Sequence, residues 1–164
     1  MSLRIGRGIA LLAVFGGLAL SAHAQDLSKP EYNTWGIRLG VADDPDQFVG
    51  GVHFDFGAVV DRLRFQPNFE IGLGDDTTIA AITAPLHYHF DIDSNVTPYA
   101  GGGLVFGWID RDRPVGIDDD DFEIGLKLTG GAQWRLRGGN DFFLELNLVF
   151  GDLHDIQVMA GWTF

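Results

Sequence analysis

Apolar and polar residues alternate one by one along most of this chain from Thr34 onward. From Phe122 to Leu136 the even positions read Phe122, Ile124, Leu126, Leu128, Gly130, Ala132, Trp134 and Leu136. The odd positions between them read Glu123, Gly125, Lys127, Thr129, Gly131, Gln133 and Arg135. Between Leu63 and Leu73, Leu63, Phe65, Phe69, Ile71 and Leu73 alternate in the same way with Arg64, Gln66, Asn68, Glu70 and Gly72. A period of two is the signature of a β-strand, whose successive side chains point to opposite faces. Each such segment therefore predicts a strand with one oily and one polar face.

Eight strands are predicted, at Thr34 to Ala42, Gln47 to Gly57, Arg62 to Gly74, Thr77 to Asp91, Thr97 to Asp110, Asp121 to Arg137, Asn140 to Phe150 and Asp155 to Phe164. Turn-rich segments separate them, among them Asp43-Asp44-Pro45-Asp46, Gly74-Asp75-Asp76 and Arg137-Gly138-Gly139-Asn140. An even number lets an antiparallel meander close with both termini at one end. About ten residues per crossing, at ~3.3 Å each and tilted by roughly 40°, span about 25 Å, the height of an outer-membrane apolar band.

A soluble barrel would show the same period, so the choice rests on the two faces. The polar face here mixes Gly, Thr, Gln, Asn and His with single charges, which suits a narrow hydrogen-bonded lumen better than open water. With alternating strand direction, Trp35, Phe56, Tyr88, Phe90, Trp134, Phe142, Trp162 and Phe164 fall near one rim, and Phe48, Phe106, Trp108, Phe122 and Phe150 near the other. Two aromatic girdles are the mark of a membrane barrel. The fold class expected is all-β, an eight-stranded antiparallel up-and-down transmembrane β-barrel.

The N-terminal part is read separately. Arg4 and Arg7 precede an apolar run from Ile9 to Ala22 that ends in Ala22-His23-Ala24. This predicts a signal peptide over residues 1–24, a short periplasmic segment over 25–33 and the barrel over 34–164. The chain has no cysteine, which excludes disulfides, thiolate metal sites and a lipobox. Its net charge of -12 argues against nucleic acid, whose phosphates call for clustered Lys and Arg.

Residues 34–164 also carry a family resemblance. The C-terminal run Gln157-Val158-Met159-Ala160-Gly161-Trp162-Thr163-Phe164 resembles the insertion signal of the small eight-stranded outer-membrane barrels of the OmpX, NspA and OmpA transmembrane-domain type. Gln157, Trp162 and Phe164 stand at its characteristic positions, while Met159 stands where the pattern favours Gly. Thr97-Pro98-Tyr99-Ala100-Gly101-Gly102-Gly103-Leu104 resembles a strand common in that family. The resemblance implies residence in the outer membrane among lipid and lipopolysaccharide, and insertion by the barrel-assembly machinery. It also implies a barrel without the peptidoglycan-binding domain that follows in the OmpA type.

Chemistry-bearing groupings are few. His87 and His89 sit two apart on the inward face with His53 inward on another strand, but no carboxylate is placed beside them, so lumen hydrogen bonding is expected in place of a metal site. Asp118 to Asp121 lacks calcium-loop spacing. Gly101-Gly102-Gly103 with Gly107 precedes no predicted helix, so it reads as strand packing and not as a phosphate loop. The His-Ser-Asn motif of lipid A deacylases is absent, since Tyr88, Phe54 and Asp155 follow His87, His53 and His154. Ser94, in a turn, has no histidine predicted at its height.

No catalytic residue, cofactor or metal is therefore expected, and no motif names an extracellular ligand. The inward polar network expected is Arg38, His53, Asp55, Arg64, Glu70, His87, Lys127, Arg135 and Glu145, with Lys127 paired to Glu145 on the adjacent strand. Small inward residues, Gly101, Gly103, Gly107, Gly125 and Gly131, leave room for a gap along one side. Large polar side chains from other strands are expected to lean into it, so the barrel is expected to be closed to solutes. At the opposite rim from the termini, thirteen acids (Asp43, Asp44, Asp46, Asp75, Asp76, Asp110, Asp112, Asp118 to Asp121, Asp152 and Asp155) face Arg111 and Arg113, an arrangement expected to attract divalent cations weakly. The function expected is a non-enzymatic structural or surface-interaction role, with a passive porin-like channel as the alternative and a lipid A-modifying enzyme behind it. Deleting Phe164 should leave precursor cleavage intact while the mature protein fails to reach the outer membrane. Cell fractionation with immunoblotting checks this, and normal outer-membrane levels would contradict it.

Overall fold

The computed structural model describes residues 34–92, 94–111, 120–151, 153 and 156–164. The signal peptide, the segment 25–33, Asp112, Arg113, Asp118, Asp119, Asp152, His154 and Asp155 lie outside the described residues. Ten strand segments are formed: β1 (Thr34–Asp43), β2 (Gln47–Asp55), β3 (Ala58–Val60), β4 (Leu63–Phe65), β5 (Asn68–Leu73), β6 (Thr77–His89), β7 (Val96–Arg111), β8 (Asp120–Arg135), β9 (Asp141–Phe150) and β10 (Ile156–Thr163).

The ten segments make eight barrel crossings, because two crossings are interrupted for local reasons. Gly57, at φ +84°, allows a bulge in which Phe56 donates to Phe65 while Phe65 donates to Gly57. That extra residue bends β2 into β3. Asp55 Oδ1 accepts the Gly57 N–H at 2.8 Å. Pro67, which has no N–H to give the ladder, separates β4 from β5. Both halves keep one register against β6, with Phe65 opposite Leu86 and Asn68 opposite Thr83.

Antiparallel pairing then runs β6-β5-β2-β1-β10-β9-β8-β7 and returns to β6. The first and last crossings meet through β1 and β10, with Gly36 opposite Thr163 and Asp43 opposite Ile156. Phe164 N–H extends that seam by donating to Trp35 O at 2.8 Å. Both termini of the sheet thus lie at one end, called here the terminus end; the opposite end, where β1, β5, β7 and β9 finish, is called the loop end.

Burial alternates as strictly as the sequence does, and the exposed set is the oily one. In β9, Asp141, Phe143, Glu145, Asn147 and Val149 are buried, and Leu144, Leu146, Leu148 and Phe150 are exposed. Leu146 is 51% exposed and Phe48 77%. At the terminus end Trp35 packs on Phe164 with centroids 5.2 Å apart, and Phe142 lies between Trp134 at 5.8 Å and Trp162 at 5.3 Å. At the loop end Trp108 meets Phe122 at 5.3 Å. Among the described residues no helix is long and apolar enough to cross a membrane.

A closed ring has no free edge from which to unravel. Refolded protein is therefore expected to keep its structure in SDS at room temperature and to migrate differently on a gel before and after boiling. Equal mobility under both treatments would contradict closure.

Candidate functional site in the barrel lumen

Eight strands enclose a space that side chains alone can fill, and here they fill it in layers. At mid-height four charged side chains from four crossings meet: Arg38 of β1, Glu70 of β5, Lys127 of β8 and Glu145 of β9. Lys127 Nζ donates to Glu70 Oε2 at 2.8 Å. Arg38 Nε stands 3.0 Å from Glu70 Oε1, within ion-pair range although not aligned as a hydrogen bond. Arg38 Nη2 donates to Glu145 Oε2, and Tyr99 Oη donates to Glu145 Oε1 at 2.8 Å. Two cations and two carboxylates make the set neutral, which a desolvated group of charges requires.

Neutral polar side chains complete this layer. The Asn68 amide, oriented to suit its neighbours, donates to Glu70 Oε1 at 3.2 Å and accepts from Arg38 at 3.2 Å. Gln157 donates to Glu70 Oε2 at 3.2 Å and accepts from Asn147 at 3.2 Å, while Thr129 donates to Asn147 at 2.6 Å. Asn147 and Gln157 are 0% exposed, so their bonds are made inside the protein.

Below this layer, toward the terminus end, lie rings and amides. His53 Nε2 lies 2.9 Å from Thr163 Oγ1, and His87 Nδ1 lies 2.7 Å from Gln66 Oε1. Phe143 packs edge-on to His53 at 5.2 Å and under the Arg38 guanidinium at 5.6 Å. Further down, Asp55 accepts from Arg64 at 2.9 Å and Gln66 at 2.9 Å. Asp141 Oδ2 accepts from Gln133 at 2.6 Å, with Arg135 Nε 2.5 Å from Oδ1. These groups line a cup of about 240 Å³ that also includes His89 and Thr97.

Above the charged layer the interior turns apolar. Ile79, Ala81, Val105, Ile109, Val149 and Leu153 form one buried cluster, and Ala42, Val49 and Met159 another. Only beyond them does the loop end open, into a vestibule of about 440 Å³ whose lining includes Asp44, Arg111, Asp121, Glu123, Ile79 and Ile109. Arg111 Nη1 there donates to Asp121 Oδ2 at 2.7 Å.

The shape belongs to a known group of structures. The chain is similar to Neisserial surface protein A (17% identity, TM-score 0.59), over 79% of this chain and 91% of that one. It is similar also to the N-terminal β-barrel domain of Pseudomonas aeruginosa OprF (13% identity, TM-score 0.60), over 81% and 98%. A de novo designed transmembrane β-barrel matches at 14% identity and TM-score 0.50, over 83% and 98%. The chain has the fold of the small eight-stranded outer-membrane barrels. No protein-family model matches it, and neither does any curated protein.

Within this fold the residues expected in the lumen take distinct places. Arg38, Glu70, Lys127 and Glu145 meet in the charged layer; His53 and His87 lie beneath it; Asp55, Arg64 and Arg135 sit at the cup. Gln157 points inward to Glu70, whereas Trp162 and Phe164 are exposed on the terminus-end girdle. The pairing of Lys127 with Glu145 is corrected. Lys127 stands opposite Val149 and Glu145 opposite Gly131, so neighbouring strands hold the two at different heights, and Lys127 reaches across the lumen to Glu70.

Large side chains lean over the inward glycines and leave no gap along them. Each of several inward glycines faces a large inward side chain on the next strand: Gly36 faces His53, Gly40 Met159, Gly101 His87, Gly131 Tyr99 and Gly161 Phe143. A Cβ on any of them would strike that partner's side chain. Gly107 is covered from the loop end by Leu153. The glycines are thus the floor on which the lumen's larger side chains lie.

Sequence reasoning missed the apolar layer and Phe143. The signal was there in runs apolar on both faces, Ile79-Ala80-Ala81-Ile82 and Leu104-Val105-Phe106, which mark strand segments buried on both sides. Among the described residues no group of three His, Asp or Glu side chains is arranged to hold a metal ion. Ser94 Oγ accepts from Val96 N–H at 3.2 Å, an ordinary turn bond.

Removing one partner from a buried ion pair costs about 3–5 kcal/mol. Glu70→Ala, which leaves two cations with one carboxylate, should destabilise more than Lys127→Met, which leaves Arg38 with both carboxylates. Double-mutant cycles by urea unfolding in lipid vesicles should show strong coupling of Lys127 to Glu70 and weak coupling to Glu145. The reverse order of couplings would contradict the observed pairing.

Proposed function

We propose that this protein is an outer-membrane β-barrel, exported through a cleaved signal peptide, that is closed to solutes and serves a structural or surface-interaction role without catalysis. The observation that carries this reading is the filled lumen, where a neutral set of four charges, Arg38, Glu70, Lys127 and Glu145, lies beneath an apolar layer. A water-filled pore needs a wider ring, of about sixteen strands or more.

The membrane part of the proposal is supported by the outer wall. Its exposed side chains run from Trp35, Ile37, Leu39 and Val41 to Leu144, Leu146, Leu148 and Phe150, with aromatic pairs near both ends. Lipid, and not water, suits such a belt. The small barrels of similar fold are outer-membrane proteins, and in that setting the terminus end faces the periplasm and the loop end the exterior. Lipopolysaccharide and outer-membrane lipid are then the surrounding partners, and the acidic loop end is the face offered to anything outside.

The reading without catalysis is supported by the lumen's own bonding. Its carboxylates are engaged with cations, and its histidines contact Thr163, Gln66 and aromatic rings. His53 meets the Thr163 hydroxyl, but among the described residues its Nδ1 has no partner, and no histidine joins a hydroxyl to a third orienting group of the kind acyl transfer requires.

Purified wild-type protein in planar bilayers is expected to give no steady single-channel current. Conductance that survives repurification would overturn the closed reading in favour of a channel. A pull-down from intact cells with the folded barrel then identifies what the loop end binds.

A further inference from the structure

We propose that the lumen is a blind polar well: water reaches the charged layer from the terminus end only, and the apolar layer shuts it off from the loop end.

Two cavities stand in series below the charged layer. The cup of about 240 Å³ and a chamber of about 10 Å³ are both lined by Gln66, Gln133 and Thr163, so these three side chains form the partition between them. The far wall of the chamber is Arg38 and Glu145. The chamber has room for about one water. Its walls include His53 and His87, whose Nδ1 and Nε2 atoms respectively are buried with no hydrogen-bond partner in the protein. Buried polar nitrogens of this kind are satisfied by water. From the cup to the charged layer, then, polar groups line the route at each step.

The loop-end side is mainly apolar, with Gln47 buried at its edge, where its Nε2 donates to Thr77 O at 2.8 Å and its Oε1 has no partner among the described residues. Ile79, Val105, Ile109 and Leu153 are 1–2% exposed and Met159 is 0%. Six crossings contribute side chains to this layer, and the other two supply Gly72 and Gly125, which Gln47 and Val105 approach. Leu153, from the segment after β9, fills the notch that Gly107 leaves. A constriction of this kind repels water instead of conducting it. The vestibule above stops at Ile79 and Ile109.

Naming the open end periplasmic rests on the orientation given under Proposed function; the one-sidedness does not. The chain has no native cysteine, so introduced thiols report alone. The full chain carrying Thr77→Cys and His53→Cys together is reconstituted in sealed lipid vesicles. A small, fixed-charge methanethiosulfonate reagent is then added outside only, or on both sides. Thr77 lines the vestibule and His53 the chamber, and loss of the imidazole makes room for the reagent. Thr163→Cys, on the partition, replaces His53→Cys if the latter does not fold.

Intact-mass measurement is expected to show one label per molecule from one side and two from both, whichever way individual barrels insert. Doubly labelled molecules after one-sided addition would overturn the proposal, as would failure of the inner thiol to react from either side. Ala81→Cys, in the apolar layer, is expected to stay unreactive from both sides, and its labelling would also overturn the proposal. Orientation is read separately, from Thr77→Cys in intact cells with a bulky maleimide that cannot pass the outer membrane. Absence of labelling there would overturn the orientation while leaving the one-sided well in place.

Discussion

Backbone hydrogen bonds that find all their strand partners within one ring govern the rest of this molecule. With β6 bonded to both β5 and β7, the sheet has no edge around its circumference, and the outer wall can present apolar side chains without exposing a strand's polar groups. Closure at eight crossings also fixes the radius. The inside is too narrow for a water column, so whatever points inward must fit and must be satisfied there.

Those conditions explain why the interior is layered. A charge moved into this space loses its hydration and needs a partner of opposite sign with its remaining bonds filled. Arg38, Lys127, Glu70 and Glu145 answer this collectively, since Glu70 serves both cations. Tyr99, Asn68 and Gln157 complete the coordination of the carboxylates. The apolar layer meets the same demand by having few polar atoms to satisfy, the Gln47 amide at its edge being bonded to Thr77 O. The two layers close the barrel by different physics, one by electrostatic cross-linking and the other by exclusion of water.

Most of the fold was legible because a two-residue period is local. Each strand from Thr34 to Phe164 shows its own inside and outside, and the inward positions of Arg38, Glu70, Lys127 and Glu145 follow from parity alone. What parity does not carry is height. Lys127 and Glu145 are both inward on adjacent strands, but the register of β8 against β9 sets them opposite Val149 and Gly131. Choosing Glu70 as the partner of Lys127 requires the tilt of the whole ring. The interruptions at Gly57 and Pro67 were marked by residue type, yet their effect, two crossings each split into halves, depends on the bonds made by Phe56 and Phe65. Phe143 stayed hidden because a single aromatic on a polar face breaks the alternation that was being followed.

The pairing of inward glycines with large inward neighbours has a consequence for how such a barrel changes over time. Gly131 and Tyr99, or Gly161 and Phe143, share one plot of lumen volume across a single rung of the ladder. A Cβ at Gly131 or Gly161 would also meet a carbonyl oxygen, that of Leu144 or Ile37 respectively, so a side chain gained there requires both the loss of the partner's ring and a shift of the strand. Each of these glycines is therefore held by the ladder itself as well as by the ring that covers it. Change at such a rung thus begins at the ring and not at the glycine beneath it.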